Sequence, residues 1–256
     1  MTETHIPDPV RATGTHFYRY SNLEHPEWLR TIVLDHELYL PTVSQLNDPA
    51  DGRPLLAPMA SDQMFDFLYN SNRNPTLTHR AQERLIRILH SNIHYHGPEE
   101  LRREIAKLLN KHLEDYRIYS LSKRYDNLGL WAKYAGGHSG YCLEFANEGE
   151  FFESAVEVIY GESIPLDVTN PKQRLAFFLY CKREEWSNEE EVRVVVLRGG
   201  RSTVKINPRC LTRLILGMKI TATHEKTIRE WARQRKPELA VVKAEFDELH
   251  QTLILQ

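Results

Sequence analysis

The chain has 256 residues, with 33 Lys and Arg against 35 Asp and Glu and a formal charge of −2, so no gross bias towards a polyanionic partner exists. Hydrophobic residues make up 41% and charged residues 27%, a globular profile that excludes disorder and collagen-like structure. The longest apolar run, Leu175 to Cys181, has seven residues, far short of the roughly 18–20 of a membrane helix, so no membrane partner is expected.

Met1 to Thr15 contains Pro7, Pro9 and Gly14 but no basic stretch followed by an apolar core. It reads as a flexible N-terminal segment, not a secretory signal, and residues 16–256 read as one domain. His16 to Tyr20 forms a first strand, and Pro26-Glu27-Trp28 opens a helix with Leu29, Ile32 and Val33 at helical spacing. Glu37 to Leu40 returns as a strand and runs into Asn47-Asp48-Pro49-Ala50-Asp51-Gly52, turn-forming residues that predict a rigid loop. From about 61 to 115 the period becomes helical. Met64, Phe67 and Leu68, then Leu85, Ile86 and Leu89, then Leu101, Ile105, Leu108 and Leu109 behind Gly97-Pro98, predict a helical insertion of three helices. Strand signals follow at 117–122, 140–145, 156–160, 189–197, 211–216, 239–244 and 251–255, with helices at 171–184 and 222–235. Most helices sit in one insertion, so the expected fold class is α+β with a mixed, mainly antiparallel sheet. Neither GxGxxG nor GxxxxGK[ST] occurs, so the sequence gives no support for a Rossmann or P-loop nucleotide site.

Cys142, Cys181 and Cys210 form no CxxC pair, which leaves no disulfide framework or thiolate metal site and predicts a reducing, cytoplasmic setting. His90, His94 and His96 crowd one helix end without an acidic partner in a recognised pattern; they read as a polar terminus, and no metal is expected.

Three stretches carry the candidate chemistry. Ser120 and Ser122 leave their strand on one face, beside a short helix that Asp126 or Asn127 could cap. On that helix Trp131 and Tyr134 either wall a flat ligand or pack into the core. If a strand begins by Glu189, then Glu189, Glu191 and Arg193 share a face at spacings of about 6.6 Å. Two carboxylates there can divide the labour of substitution at a sugar carbon; the competing arrangement is a solvated charge ladder pairing Arg193 with Glu191. Arg19, between Tyr18 and Tyr20, suits a diphosphate, or else serves as a structural cation stacked on tyrosine or paired with Asp48. Between Val192 and His224 there is no acidic residue. Arg193, Arg198, Arg201, Lys205, Arg209, Arg213 and Lys219 there would make a basic stripe if they shared a face.

Phe17-Tyr18-Arg19-Tyr20, Leu46-Asn47-Asp48-Pro49 with Asp51-Gly52, Ser120-Leu121-Ser122 with Asp126-Asn127-Leu128 and Trp131-Ala132-Lys133-Tyr134, His138 to Phe145, and Trp186 with Glu189, Glu191 and Arg193 together resemble the bacterial domain-of-unknown-function family number 2971. The likeness covers nearly all of residues 16–256, and the family's name carries no activity. A looser resemblance is to ADP-ribosyltransferases of the arginine, serine, glutamate type, because Arg19, Ser120-Leu121-Ser122 and Glu189-Glu190-Glu191 stand in that order. That resemblance implies NAD as co-substrate. Arg19 would hold the phosphates, Ser120 or Ser122 would position ribose and glutamate, Glu191 would bind the nicotinamide ribose, and Glu189 would activate an unidentified macromolecular acceptor, nucleic acid or protein. Tyr18, Asn47, Trp131 and Tyr134 would line the cofactor cleft. The rival expectation is a non-catalytic nucleic-acid or polyanion recognition domain built on the basic 193–219 stretch.

Overall fold

The computed structural model describes residues 9–58, 80, 83–84, 98–162, 165–168, 170, 175–197 and 202–256. Its strands are β1 (His16–Ser21), β2 (Glu37–Tyr39), β3 (Tyr116–Ser122), β4 (Tyr141–Ala146), β5 (Val156–Glu157), β6 (Ile159–Gly161), β7 (Cys181–Arg183), β8 (Glu191–Leu197), β9 (Thr203–Lys205), β10 (Leu211–Leu216), β11 (Ala240–Asp247) and β12 (Thr252–Leu255). The α-helices whose bounds fall among the described residues are α1 (Pro26–Arg30), α2 (Pro98–Leu113), α3 (Leu128–Tyr134), α4 (Gly149–Glu153) and α5 (Ala222–Gln234). The fold is α+β, as the segregated helices predict.

Eight strands form the main sheet in the order β12-β11-β10-β4-β1-β3-β8-β5. Every pairing in it is antiparallel except β10 with β11, which α5 joins by a crossover. Apolar alternation explains the centre: Phe17, Leu143 and Phe145 on β1 and β4 and Leu121 and Val192 on β3 and β8 enter one buried cluster. Pro26 and Pro98 occupy opening helical positions, where a missing N–H costs nothing. Asn127 caps α3 by accepting from the Leu130 N–H at 3.1 Å, and Thr221 caps α5 through His224.

Three expectations change, and a fourth is met where the structure describes it. The N-terminal segment is pinned from Val10 onwards, with Ala12 N–H on Ala155 at 2.8 Å, Glu157 N–H on Val10 at 2.9 Å and Asn147 N–H on Thr15 at 2.9 Å. Of the helical insertion, α2 is described and buries Ile105, Leu109 and Leu113; the helices read near Met64 and Leu85 and the three histidines lie outside the described residues. The strand read over 156–160 divides after Glu157: the Val158 N–H turns to the Glu191 carbonyl at 3.0 Å, and β6 pairs in parallel with β7 instead. The helix read over 171–184 is a 3-10 segment, Leu175–Tyr180, followed by β7. Leu175, Phe178 and Leu179 have the spacing of one α-helical face, but Phe177, buried as well, would project from the other side of an α-helix.

Candidate functional site

The order β1-β3-β8 places the three predicted motifs side by side. Tyr18 lies opposite Ser122 and Ser122 opposite Glu191, one row across three strands, and Ser120 lies opposite Arg193. A cavity of about 490 Å³ opens at this end of the sheet, lined by Tyr18, Arg19, Ser120, Ser122, Asn47, Tyr134, Glu189 and Glu191. Residues of all three motifs thus contribute to the lining of one cavity. The same wall also contains Trp28, Asp48, Asp51, Lys133, Lys182 and Trp186.

A buried ionic network forms the floor. Arg193 is 0% exposed, and every guanidinium N–H is used. Its Nε and Nη2 hold Glu191 at 2.6 and 3.0 Å, its Nη1 and Nη2 hold Asp51 at 2.8 and 2.6 Å, and Nη1 also donates to the Leu179 carbonyl at 2.7 Å. The expected Arg193–Glu191 pair exists, but it is buried, not solvated. Lys182, with a side chain 7% exposed, donates to Glu189 at 2.6 Å and Glu191 at 2.8 Å and stands 3.8 Å from Asp51. Burial disfavours its charge, but Glu191 and Glu189 outweigh that and raise the Lys182 pKa, so it acts as a fixed cation and not as a free amine.

Burial likewise opposes ionisation of Glu191, yet Arg193 and Lys182 prevail and hold its carboxyl at about 2, against an ordinary 4.5. The depressed folded-state value means that its contribution to stability is complete above about pH 4.5 and fades as the pH falls towards 2. Glu191→Gln is therefore expected to lose on the order of 3 kcal/mol at pH 7, at about 1.4 kcal/mol per pKa unit. Urea titrations of both proteins should show that gap closing between pH 4.5 and 2; a gap independent of pH would contradict the ionic account.

Glu189 departs from the expected strand. It ends a 3-10 segment, Glu184–Glu189, and Glu190 at φ 44 turns the chain before β8 starts at Glu191. Its carboxylate faces the cavity all the same, accepting from Tyr134 Oη at 2.8 Å, Lys133 Nζ at 3.1 Å and Lys182. Burial, and then the charge of Glu189, push the Tyr134 hydroxyl well up, so it remains a donor. Lys133 Nζ also lies 3.5 Å from the centroid of the Trp186 ring.

The serines differ in role. Ser122 Oγ donates to the Glu189 carbonyl at 2.9 Å and accepts from Arg124 N–H at 3.2 Å, so its hydroxyl clamps the Glu189 turn. Ser120 lines the cavity and offers its carbonyl to Arg19 Nη1 at 2.7 Å. Arg19 also stands 5.1 Å from the Tyr119 ring centroid, which realises the tyrosine-stacked arrangement. Asp48 is held instead by Arg183 at 3.1 Å and Trp186 Nε1 at 2.9 Å. Burial would raise the Asp48 carboxyl, but the Ala50 N–H and these two donors keep it below its ordinary range.

Trp131 is not a cleft wall. It is 1% exposed, bonded through Nε1 to the Tyr125 carbonyl at 2.7 Å and set edge-on to Tyr20, so it belongs to the core while Tyr134 alone reaches the cavity. Asn47 is exposed on the rim of the cavity that Tyr134 also lines. Tyr18 is half-buried; burial, then Glu144, raise its hydroxyl to about 12.

The basic stretch does not make a continuous exposed stripe among the described residues. Arg193 is buried and Arg213 pairs with Glu144, while Arg198 and Arg201 lie outside the described residues. Reasoning from sequence missed Lys182, whose only signal was its place one residue after a long apolar run. Asp51 was read as a turn former and is also the second carboxylate on Arg193. No group of three or more His, Cys, Asp or Glu able to hold a metal occurs among the described residues, and no helix among them is long and apolar enough to cross a membrane. Comparison of the chain with protein-family models, with curated proteins and with solved structures gives no match.

Proposed function

We propose that the cavity binds NAD and that the protein transfers ADP-ribose to a macromolecular acceptor. The observation that carries this reading is the meeting of Arg19, Ser120, Glu189 and Glu191, drawn from three separated stretches, around one cavity of about 490 Å³. That volume lies within the roughly 300–1,000 Å³ of small-molecule sites. Arg19 retains guanidinium N–H donors beyond the one given to Ser120, a fork suited to a diphosphate. In the transfer, the bond from the ribose carbon to the nicotinamide nitrogen breaks and its electron pair leaves with neutral nicotinamide. The acceptor's lone pair then bonds to that carbon, and its proton passes to Glu189. Glu191, ionised and fixed, stabilises the cationic sugar in between and contacts its hydroxyls.

The expected result is release of nicotinamide from NAD and label transfer from adenine-labelled NAD to an acceptor in a lysate. Folded protein that leaves NAD intact and labels nothing overturns the proposal. The commitment of Glu191 to Arg193 and Lys182 favours one other reading, a recognition domain that uses the same groove without turnover. It requires ligand binding with NAD recovered unchanged. Placing that recognition on the basic 193–219 stretch draws no support from a buried Arg193.

A further inference from the structure

We propose that Trp28 is a stacking platform for the base of a nucleotide held in this cavity, so that the ligand carries a planar heteroaromatic ring joined to phosphate. The inference deepens the nucleotide reading above and rests on it for the identity of the cavity, but not on any turnover. Trp28 lines the cavity with 61% of its surface exposed, an unusual position for a large apolar ring. One face of the indole is already covered: the His25 ring stacks on it with centroids 4.3 Å apart and planes 22° from parallel. The imidazole is itself held by Glu27, Nδ1 to Oε1 at 3.0 Å.

Beneath the indole the backbone is anchored. Leu29 and Val33 are fully buried, and α1 widens directly into a π-helical turn over Thr31–Asp35, a geometry that recurs at functional sites. The ring is thus held by its neighbours and still open to solvent, which lowers the ordering cost of a second stacked ring. Arg19 on β1 lines the same cavity and supplies the cation that a phosphate joined to that base requires. Base-on-aromatic stacking adds affinity with little dependence on the base's hydrogen-bonding edge, so adenine and guanine nucleotides should both respond.

Calorimetric titration with ADP, GDP and inorganic pyrophosphate tests this. Wild-type protein should bind both nucleotides more tightly than pyrophosphate. Trp28→Ala should weaken the nucleotides about tenfold or more and leave pyrophosphate unchanged, while Trp28→Tyr keeps most of the affinity. Thermal melting should be the same for all three proteins, since the side chain is largely outside the core. Equal ADP affinity in wild type and Trp28→Ala, or no ADP binding by wild type, overturns the inference. Trp28-dependent ADP binding without nicotinamide release leaves it standing and removes the transferase reading. Nicotinamide release with an unchanged KM in Trp28→Ala does the reverse.

Discussion

Arg193→Met is expected to destabilise the protein by about 3–5 kcal/mol, the cost of leaving buried charge without its partner. The guanidinium satisfies Glu191 and Asp51 at once, and both acids are almost wholly buried. Lys182 remains in the variant, but one ammonium cannot neutralise Asp51, Glu189 and Glu191 together. Methionine fills much of the volume, so the loss measures charge and hydrogen bonding more than a cavity. For a chain of this size it corresponds to a melting temperature lower by roughly 10 °C. Adding Asp51→Asn and Glu191→Gln should recover part of the loss, because neutral amides tolerate the missing cation. Removing the exposed Arg183–Glu185 pair through Glu185→Gln serves as the control and should cost far less. Urea unfolding of the four proteins checks the series, and an Arg193→Met variant as stable as wild type would show that the network does not hold the cavity floor.

Glu189→Gln should reduce nicotinamide release and acceptor labelling by about 100-fold or more, the scale of a lost general base. The amide retains an acceptor oxygen for Tyr134, while the surrounding turn is held through the backbone by Ser122 and Glu190 N–H. Its stability should therefore fall by less than that of Arg193→Met. Glu189 is the informative position because it faces Lys133 and Tyr134 at the cavity, whereas Glu191 is locked into Arg193 and its removal mixes chemistry with folding. Initial rates by chromatography, with circular-dichroism melts of the same samples, separate the two effects. A rate equal to wild type would take Glu189 out of the reaction.

Local pattern determined much of the frame. Alternation located β1, β3, β4 and β10, the 3.6-residue period located α2 and α5, and the Asp126-Asn127 pair marked the start of α3, because each signal lies within a few neighbouring residues. The same reading named Arg19, Ser120, Glu189 and Glu191, which the sheet order then brings to one cavity. It could not tell that Ser122 is a clamp, that Trp131 is core, or that Glu189 stands off the strand behind the Glu190 turn. Those outcomes depend on what packs against each side chain. The clearest case is the contact of Asp51 with Arg193 across 142 positions, and with it the place of Lys182 between three acids. Periodicity and capping act along the chain and leave a local record, whereas charge pairing acts through space; only the folded sheet decided which acid met which base.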